Sequence, residues 1–301
     1  MDPATQINVA QAPAAATAPS LADYIELAKP RLNFLVLVTT AVGYYMAVRW
    51  PVDWLHLLHA LVGTALTAAA ASTLNQYAER RPDALMPRTA NRPLPAGRVE
   101  PAHALGLGIA LAAVGLAQLA LLVNPLTALL GAITLLSYIL LYTPMKRWTS
   151  LCTIVGAIPG AIPPVMGWTA VRNSLGPEAL ALFAILFIWQ MPHFLAIAIL
   201  YRRDYAAGGF RMLPVIDPDL SMTSRQIIIY CLCLLPVSLA PALMGMASAA
   251  YFAAAVALGL VFLKFGLSCA SARTRPDARK LFIASIVYLP LLLAVLMMDK
   301  R

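Results

Sequence analysis

Runs of about 20 mostly apolar residues, separated by short polar segments, are the feature that most constrains the fold of this chain. An α-helix rises about 1.5 Å per residue, so about 20 residues cross a hydrocarbon core about 30 Å thick. Only 12% of the residues are charged, whereas a typical soluble domain carries about 25%. The sequence therefore predicts an all-α polytopic membrane protein that lies in a lipid bilayer.

About nine apolar spans can be read from the chain. They cover residues 32–49, 54–77, 103–123, 125–143, 151–170, 178–200, 225–244, 246–266 and 280–298. We expect residues 23–301 to form a single transmembrane domain. Residues 1–22 are rich in Ala, Pro and Gln and lack the basic start and leucine-rich centre of a signal peptide, which predicts a disordered N-terminal tail.

The basic residues predict which end of the protein faces the cytoplasm. If nine spans alternate, 18 of the 22 Lys and Arg residues share one side, and only Arg49, Arg172, Lys300 and Arg301 lie on the other. Cytoplasmic loops are enriched in Lys and Arg, so we expect the richer side and the N-terminus to be cytoplasmic. Orientation and anionic lipid headgroups account for much of the net charge of +9, and no nucleic-acid partner is expected.

Three oxygen-bearing side chains lie at and just beyond the end of the second span with helical spacing. Asn75, Glu79 and Asp83 lie at positions i, i+4 and i+8, so a continuing helix presents them on one face. Mg²⁺ is typically held by one or two carboxylates together with water and phosphate oxygens. The arginines that follow suit those phosphate oxygens because a guanidinium binds them with two parallel hydrogen bonds. They are Arg88, Arg92 and Arg98.

A simpler interpretation of the same segment is a solvated helix end. In that case Glu79 and Asp83 pair with the adjacent Arg80 and Arg81 and bind no ligand. Pro82 removes a helical hydrogen bond just before Asp83, which makes a bend at Asp83 the alternative to an ideal face. The prolines of the following segment, MPRTANRPLPAGR, stiffen the loop and favour a built site.

A second polar group follows the sixth span on the same side of the membrane. Asp204 and Tyr205 stand beside two arginines, and another basic pair occurs in the loop after the fourth span; these four are Arg202, Arg203, Lys146 and Arg147. Acidic loops that face each other across a helical bundle can share one Mg²⁺-diphosphate cluster, and basic residues can hold its anion. We therefore expect both loops to contribute to one site.

His193 lies inside the sixth span, directly after Pro192. An ionisable side chain inside a membrane is a candidate functional residue. A neutral imidazole that bonds to a backbone carbonyl freed by the proline is an equally good explanation. Both interpretations stay open on the sequence alone.

Four segments carry long signatures in a fixed order. They are KPRLNFLVLVTTAVGYYMA, NQYAERRPDALMPRTANRPLPAGR, YTPMKRWTSLCTIVGAIPGAIPPVMGW and WQMPHFLAIAILYRRDYAAGGFRMLPV. Together they cover most of the chain from Lys29 to about Val215. In this order they resemble the UbiA-type intramembrane prenyltransferases, in the form that is typical of the haem branch of that family.

The resemblance implies a bundle of nine helices around a central cavity, with the diphosphate site at its cytoplasmic mouth. It implies that a farnesyl group passes from farnesyl diphosphate to a vinyl group of haem b, with addition of water, to give haem O for terminal oxidases. The implied cofactor is Mg²⁺, and the implied location is the bacterial inner membrane. Haem A synthase or terminal oxidase assembly proteins are the protein partners that it implies.

The residues and the resemblance together give three sets of site candidates. The metal-binding and catalytic candidates are Asn75, Glu79, Asp83 and Asp204, with Tyr205 as a further catalytic candidate. The diphosphate-binding candidates are Arg88, Arg92, Lys146, Arg147, Arg202 and Arg203. The candidates for binding haem are His193, Arg31 and Asn33. The second motif has one acid where the wider family often has two, because Leu200 and Gly208 stand four residues on either side of Asp204.

Two alternatives remain on the sequence. A UbiA-type enzyme that prenylates a quinone precursor predicts two acids in the second motif and gives no reason for His193. A transporter or lipid-binding membrane protein predicts charged residues near the bilayer midplane and broken helices in paired halves. The spans are nearly free of charge, and the polar groups gather at one end.

Overall fold

The computed structural model describes residues 19–301. Most of the predicted tail, residues 1–18, lies outside the described residues. The last two residues assigned to that tail, Leu21 and Ala22, belong to the first helix. This helix begins with a capping box in which the Ser20 hydroxyl accepts from the Asp23 amide and the Asp23 carboxylate accepts from the Ser20 amide.

Fourteen α-helices and one π-helical turn make up the described part of the chain, which contains no β-strand. The short helices are α1 (Leu21–Ala28), α6 (Thr143–Trp148), α7 (Cys152–Ala161), α8 (Pro163–Arg172), α10 (Arg202–Ala207) and α11 (Leu213–Ile216). The longer helices are α2 (Pro30–Ala47), α3 (Trp54–Ala84), α4 (Pro101–Leu122), α5 (Pro125–Leu136), α9 (Pro177–Leu200), α12 (Ser221–Leu243), α13 (Ala249–Ala272) and α14 (Arg275–Met298). The π-helical turn covers Ser137–Tyr142 and joins α5 to α6.

Eight helical segments in the described residues are long and apolar enough to cross a membrane. They match the second to ninth predicted spans and confirm the all-α membrane fold. The first predicted span, residues 32–49, corresponds to α2, an 18-residue helix that is not among those eight. A count of nine crossings and a cytoplasmic N-terminus therefore stay predictions.

Prolines and helix caps explain where the spans break. Pro163 begins α8 directly after α7, so one apolar span consists of two helices. Asn124 caps α5 by accepting from the Thr127 amide at 2.8 Å, and its own amide donates to the Thr169 carbonyl at 2.8 Å. The same side chain therefore begins one helix and fastens it to α8.

The polar segments collect at one end of the bundle. Arg98 after α3 donates to Asp23 of α1 at 2.6 Å, and the Arg211 amide after α10 donates to the Lys146 carbonyl of α6 at 2.7 Å. At the opposite end, Lys300 donates to the carbonyl of Val48 at 2.6 Å. The fold therefore gathers both predicted polar motifs on the same end, as alternating spans require.

Candidate active site

The predicted face of α3 is present and buried. Helix α3 continues through Pro82, and Asp83 is still part of it. Asn75, Glu79 and Asp83 are 2%, 6% and 1% exposed. The prediction that a continuing helix carries these side chains is confirmed, and the alternative of a solvated helix end is wrong because both carboxylates lie inside the protein.

Each carboxylate of this face holds a cation from another part of the chain. Lys146 Nζ donates to Glu79 Oε1 at 2.8 Å, and Arg92 Nη1 donates to Asp83 Oδ2 at 2.6 Å. Asn75 donates to the Thr143 hydroxyl at 3.1 Å. Buried carboxylates need such partners because an isolated buried charge is very costly. The predicted alternative pairs with Arg80 and Arg81 do not form.

Arg80 and Arg81 are directed elsewhere. Arg80 donates to the Tyr77 carbonyl at 2.6 Å, and its guanidinium lies 4.4 Å from the centre of the Tyr77 ring. Arg81 is exposed. Adjacent positions of a helix point in different directions, which is why these two arginines leave the face of Asn75, Glu79 and Asp83.

The turn around Lys146 is aromatic as well as basic. Its ammonium lies 4.5 Å from the centre of the Tyr142 ring and 5.6 Å from that of Phe210. Phe210 follows α10, so the basic pair Lys146–Arg147 and the second motif meet at the Lys146 ammonium. Aromatic faces attract a cation, and they leave the ammonium directed toward Glu79.

The second motif reaches the first through Arg88. The Arg88 guanidinium lies 4.6 Å from the centre of the Tyr201 ring and 5.6 Å from that of the Tyr205 ring. Asp204 is half-buried and forms no salt bridge with any residue from 19 to 301. The structure thus brings both acidic motifs to one end of the bundle. No ion pair within the described residues neutralises the Asp204 carboxylate.

Lys29, which the sequence analysis did not select, belongs to the same charge cluster. Desolvation lowers the pKa of Lys29 to about 7, and the Arg92 and Lys146 charges act in the same direction, whereas Glu79 and Asp83 act against them. Its backbone is left-handed, with φ of 47°, because it ends α1 and immediately precedes Pro30 of α2. Only its place in KPRLNF hinted at a role.

A cavity of about 470 Å³ opens beside this cluster. It is lined by Ala22, Ile25, Glu26, Lys29, Pro30, Arg31, Leu32, Gln76 and Arg92. Arg31 and Arg92 in this lining are cations, Lys29 is a third basic residue and Glu26 is the one acid, so the cavity favours an anion. Arg31 is exposed at this cavity, and Asn33 donates to the Ala28 carbonyl at 2.6 Å.

The remaining predicted phosphate ligands form no ion pair with Glu79 or Asp83. Arg98 pairs with Asp23 at 2.6 Å and Glu26 at 3.1 Å, so the structure uses it to hold α1. Arg202 donates to the Pro218 carbonyl at 3.2 Å. Arg147 and Arg203 are exposed and form no salt bridge within the described residues.

His193 sits in an aromatic patch between α9 and α14. Its Nδ1 lies 2.7 Å from the Ser285 hydroxyl. Its ring centre lies 5.0 Å from that of Trp189 and 5.2 Å from that of Phe282. The alternative in which the ring bonds to a backbone carbonyl freed by Pro192 is wrong, because the hydrogen-bond partner of His193 is the Ser285 side chain of α14.

The donor set on α3 fits a divalent cation that shares its ligands with a diphosphate. No group of three or more His, Cys, Asp or Glu side chains that could hold a metal ion alone occurs in residues 19–301. Mg²⁺ typically uses one or two carboxylates when phosphate and water complete its coordination. The two buried carboxylates match that number, and the Asn75 amide oxygen is a further ligand candidate. The neighbouring Lys146 and Arg92 supply the charge that a diphosphate requires.

The fold and the charge cluster define a class: a bundle of apolar membrane helices with buried carboxylates and cations gathered at one end. The model of the UbiA prenyltransferase family matches residues 36–289, and the chain belongs to this family. A similar curated protein is the protoheme IX farnesyltransferase of Solibacter usitatus, which is 50% identical over 92% of this chain and 98% of its own length. The family resemblance of the sequence motifs is confirmed.

Two solved structures share the fold. One is from a study of digeranylgeranylglyceryl phosphate synthase, with a TM-score of 0.77, 15% identity, and coverage of 93% of this chain and 98% of that chain. The other is a UbiA homolog from Archaeoglobus fulgidus bound to DMAPP and Mg²⁺, with a TM-score of 0.68, 18% identity, and coverage of 91% and 99%. At these identities the likeness establishes the fold alone.

Proposed function

We propose that the protein transfers a farnesyl group from farnesyl diphosphate to a vinyl group of haem b, with addition of water, to form haem O. The observation that carries the proposal is the presence of two ion pairs with buried carboxylates at the end of an apolar bundle. They join Glu79 to Lys146 and Asp83 to Arg92. The Solibacter usitatus relative is a protoheme IX farnesyltransferase, and this name indicates the prenyl donor and the haem acceptor.

Substrate binding exchanges the partners of these ion pairs. Lys146 and Arg92 bind carboxylates in the structure, and both are cations that suit phosphate oxygens. A diphosphate at this end draws Lys146 and Arg92 to its oxygens. The oxygens of Glu79 and Asp83 then become available to a divalent cation, together with Asn75.

The site assists departure of the diphosphate. Mg²⁺, when bound, supplies Lewis-acid stabilisation of the charge that builds on the departing phosphate oxygens. Lys146, Arg92 and Arg88 supply fixed positive charge to the same oxygens, and charges placed in advance are commonly the largest catalytic contribution. Tyr205, whose ring centre lies 5.6 Å from the Arg88 guanidinium, helps to hold that guanidinium in place.

The apolar bundle protects the reactive prenyl group. Loss of diphosphate leaves an allylic cation, which water would capture before it reached a second substrate. The helices below the charge cluster carry apolar side chains almost throughout. The farnesyl chain and the porphyrin therefore meet in a part of the protein from which water is excluded.

The cellular setting follows from this proposal. The end that carries both motifs holds most of the basic residues, which supports a cytoplasmic active site in a bacterial inner membrane. The product would serve terminal oxidases, and proteins that assemble them or convert haem O further, such as haem A synthase, are the partners that the proposal implies.

Purified protein with haem b, farnesyl diphosphate and Mg²⁺ tests the proposal. We expect a haem of later elution whose mass has increased by one farnesyl group and one hydroxyl group, since the second proton of the added water is released. Parallel reactions contain EDTA, or a phenolic acid in place of haem b. Unchanged haem together with prenylation of the phenolic acid would exclude the proposal and favour an enzyme of quinone-precursor biosynthesis.

A further inference from the structure

A short chain of hydrogen bonds connects α9 to α14. The Ser285 hydroxyl lies 2.6 Å from the Phe282 carbonyl and 2.7 Å from His193 Nδ1. The Trp189 indole donates to the Ser285 carbonyl at 2.9 Å. Ser285 is 0% exposed, so these groups have no competition from solvent. The hydroxyl and the backbone carbonyl of Ser285 therefore both form hydrogen bonds that fix His193 and the adjacent Trp189.

The chain fixes the position of a proton. A carbonyl oxygen only accepts, so both contacts of the Ser285 hydroxyl are hydrogen bonds only when its single hydrogen is donated to Phe282. The Ser285 oxygen can then only accept from His193, and Nδ1 of the imidazole must carry hydrogen. In a neutral imidazole the other nitrogen, Nε2, then keeps its lone pair.

The bare nitrogen has no hydrogen-bond partner among residues 19–301. His193 is half-buried, and its Nε2 makes no hydrogen bond to any residue between 19 and 301. The lone pair of Nε2 is therefore not used by any residue in the described part of the chain.

The surroundings of this nitrogen suit a large flat ligand. Trp189, Phe194 and Phe282 are half-buried and surround the imidazole, with ring centres 5.0 to 5.7 Å from it. His193 stands seven residues before Leu200, the end of α9, so it lies about 10 Å from the polar end of that helix. A flat apolar ligand that carries a metal, such as a metalloporphyrin, can lie on this aromatic patch, deeper in the membrane than the proposed diphosphate site.

We propose that Ser285 is a positioning residue that holds His193 in the Nδ1–H tautomer, so that Nε2 binds the iron of the haem substrate. The proposal rests on haem b being the acceptor in the function proposed above. Iron ligation would anchor the porphyrin within the bundle while a vinyl group reacts. Hydrogen bonds to the outer nitrogen of a ligating histidine orient the ring and raise its basicity, and their loss costs about 10- to 100-fold in affinity.

Spectroscopy of bound haem tests the ligand directly. Haem b is titrated into purified wild-type protein in nanodiscs, and its absorption spectrum and the iron–histidine stretching band of the ferrous form are recorded. We expect an iron–imidazole band in the wild type. His193→Gly should lose the band, and added imidazole should restore it. An unchanged band in His193→Gly would overturn the proposal, because another side chain would then be the ligand.

The Ser285 variants separate positioning from packing. Ser285→Ala should weaken haem binding about 10- to 100-fold and shift the iron–histidine band to lower frequency, while Ser285→Thr, which keeps the hydroxyl, should resemble the wild type. Ser238→Ala is the matched control, because Ser238 is a buried serine that bonds to the Tyr288 hydroxyl at 2.8 Å and not to His193. Equal affinity and band position in Ser285→Ala and Ser238→Ala would overturn the positioning role.

Product formation in the same preparations distinguishes this proposal from the proposed function. Farnesylated haem in the wild type, together with a haem spectrum that His193→Gly leaves unchanged, contradicts the ligand and leaves the proposed function standing. An iron–imidazole band that depends on His193, without any farnesylated product, supports the ligand and contradicts the proposed reaction.

Discussion

Lys146 Nζ lies 2.8 Å from Glu79 Oε1, although 67 positions separate the two residues in the chain. Their side chains are 11% and 7% exposed, so water screens the pair little. A buried ion pair rarely adds much net stability, since desolvation of both charges offsets their attraction. The presence of this pair at the end of the bundle is therefore better explained by ligand binding: Lys146 would bind the diphosphate, and Glu79 would bind the divalent cation.

Removal of one member of this pair should destabilise the protein. Lys146→Met leaves the Glu79 carboxylate buried without its cation, which costs about 3–5 kcal/mol in comparable pairs. Lys146→Met with Glu79→Gln should recover most of the free energy of unfolding while turnover stays lost. Denaturant unfolding in detergent and the haem-product assay measure the two quantities.

The neighbouring Arg147 supplies the stability control for that experiment. Arg147→Met changes an exposed residue of the same short helix, and the free energy of unfolding should change by no more than about 0.5 kcal/mol. Equal destabilisation by Lys146→Met and Arg147→Met would mean that the Glu79 ion pair is not responsible for the effect.

The two acidic motifs should respond differently to loss of charge. Asp83→Asn and Asp204→Asn are each expected to lower turnover by about 100- to 1,000-fold, because each carboxylate is a proposed ligand of the cation that stabilises the departing diphosphate. Asp83→Asn also removes the buried partner of Arg92, whereas Asp204 has no salt bridge among the described residues. Thermal unfolding should therefore shift for Asp83→Asn and hardly at all for Asp204→Asn.

Near-normal turnover in both variants would exclude a site built from the two motifs. Asp277→Asn is a suitable control, since Asp277 pairs with Lys280 at 3.0 Å on the exposed start of α14. It should leave turnover unchanged.

Local periodicity explains which parts of the site were predictable. Asn75, Glu79 and Asp83 share a face because residues four apart on a helix lie above one another, and this holds for any continuous helix. The apolar runs likewise predict membrane helices because the bilayer sets their length. Such features depend on near neighbours in the chain.

Partners across the bundle could not be predicted in the same way. The pairing of Glu79 with Lys146 depends on how the α5 to α6 segment packs, including the π-helical turn at Ser137–Tyr142. Lys29 joins the cluster only because a left-handed residue turns the chain between α1 and α2. The Ser285 contact with His193 spans 92 positions. No local pattern encodes contacts of this kind.

Docking of α1 should depend on pH in the acid range. The hydrogen bond from Arg98 is the main cause that lowers the pKa of Asp23 to about 2, from a usual value of 3.8. A lowered carboxyl pKa means that the charged form stabilises docking above about pH 4, and that this stabilisation is lost as the pH falls through about 2. Hydrogen exchange of the α1 amides, corrected for intrinsic rate, should show protection decreasing over that range.

Asp23→Asn should give the same loosening of α1 at neutral pH. Glu26 also bonds to Arg98, at 3.1 Å, so Glu26→Gln serves as the comparison for the weaker contact. Unchanged α1 protection in Asp23→Asn would show that the Arg98 contact does not hold the helix.

Close packing of α2 on α8 gives the last prediction. Gly43 of α2 faces the Pro164 carbonyl, and Gly167 of α8 faces the Thr40 carbonyl, so a methyl group at either position would overlap backbone that cannot move aside. Gly43→Ala and Gly167→Ala should each destabilise the protein, because overpacking costs about 1–3 kcal/mol or more. Gly106 of α4 has open space around it and is the matched control. Gly106→Ala should be neutral or stabilising by up to about 1 kcal/mol, since alanine is the better helix former. Thermal unfolding of the three variants measures the difference, and equal behaviour would mean that α2 and α8 do not approach as closely as their backbones indicate.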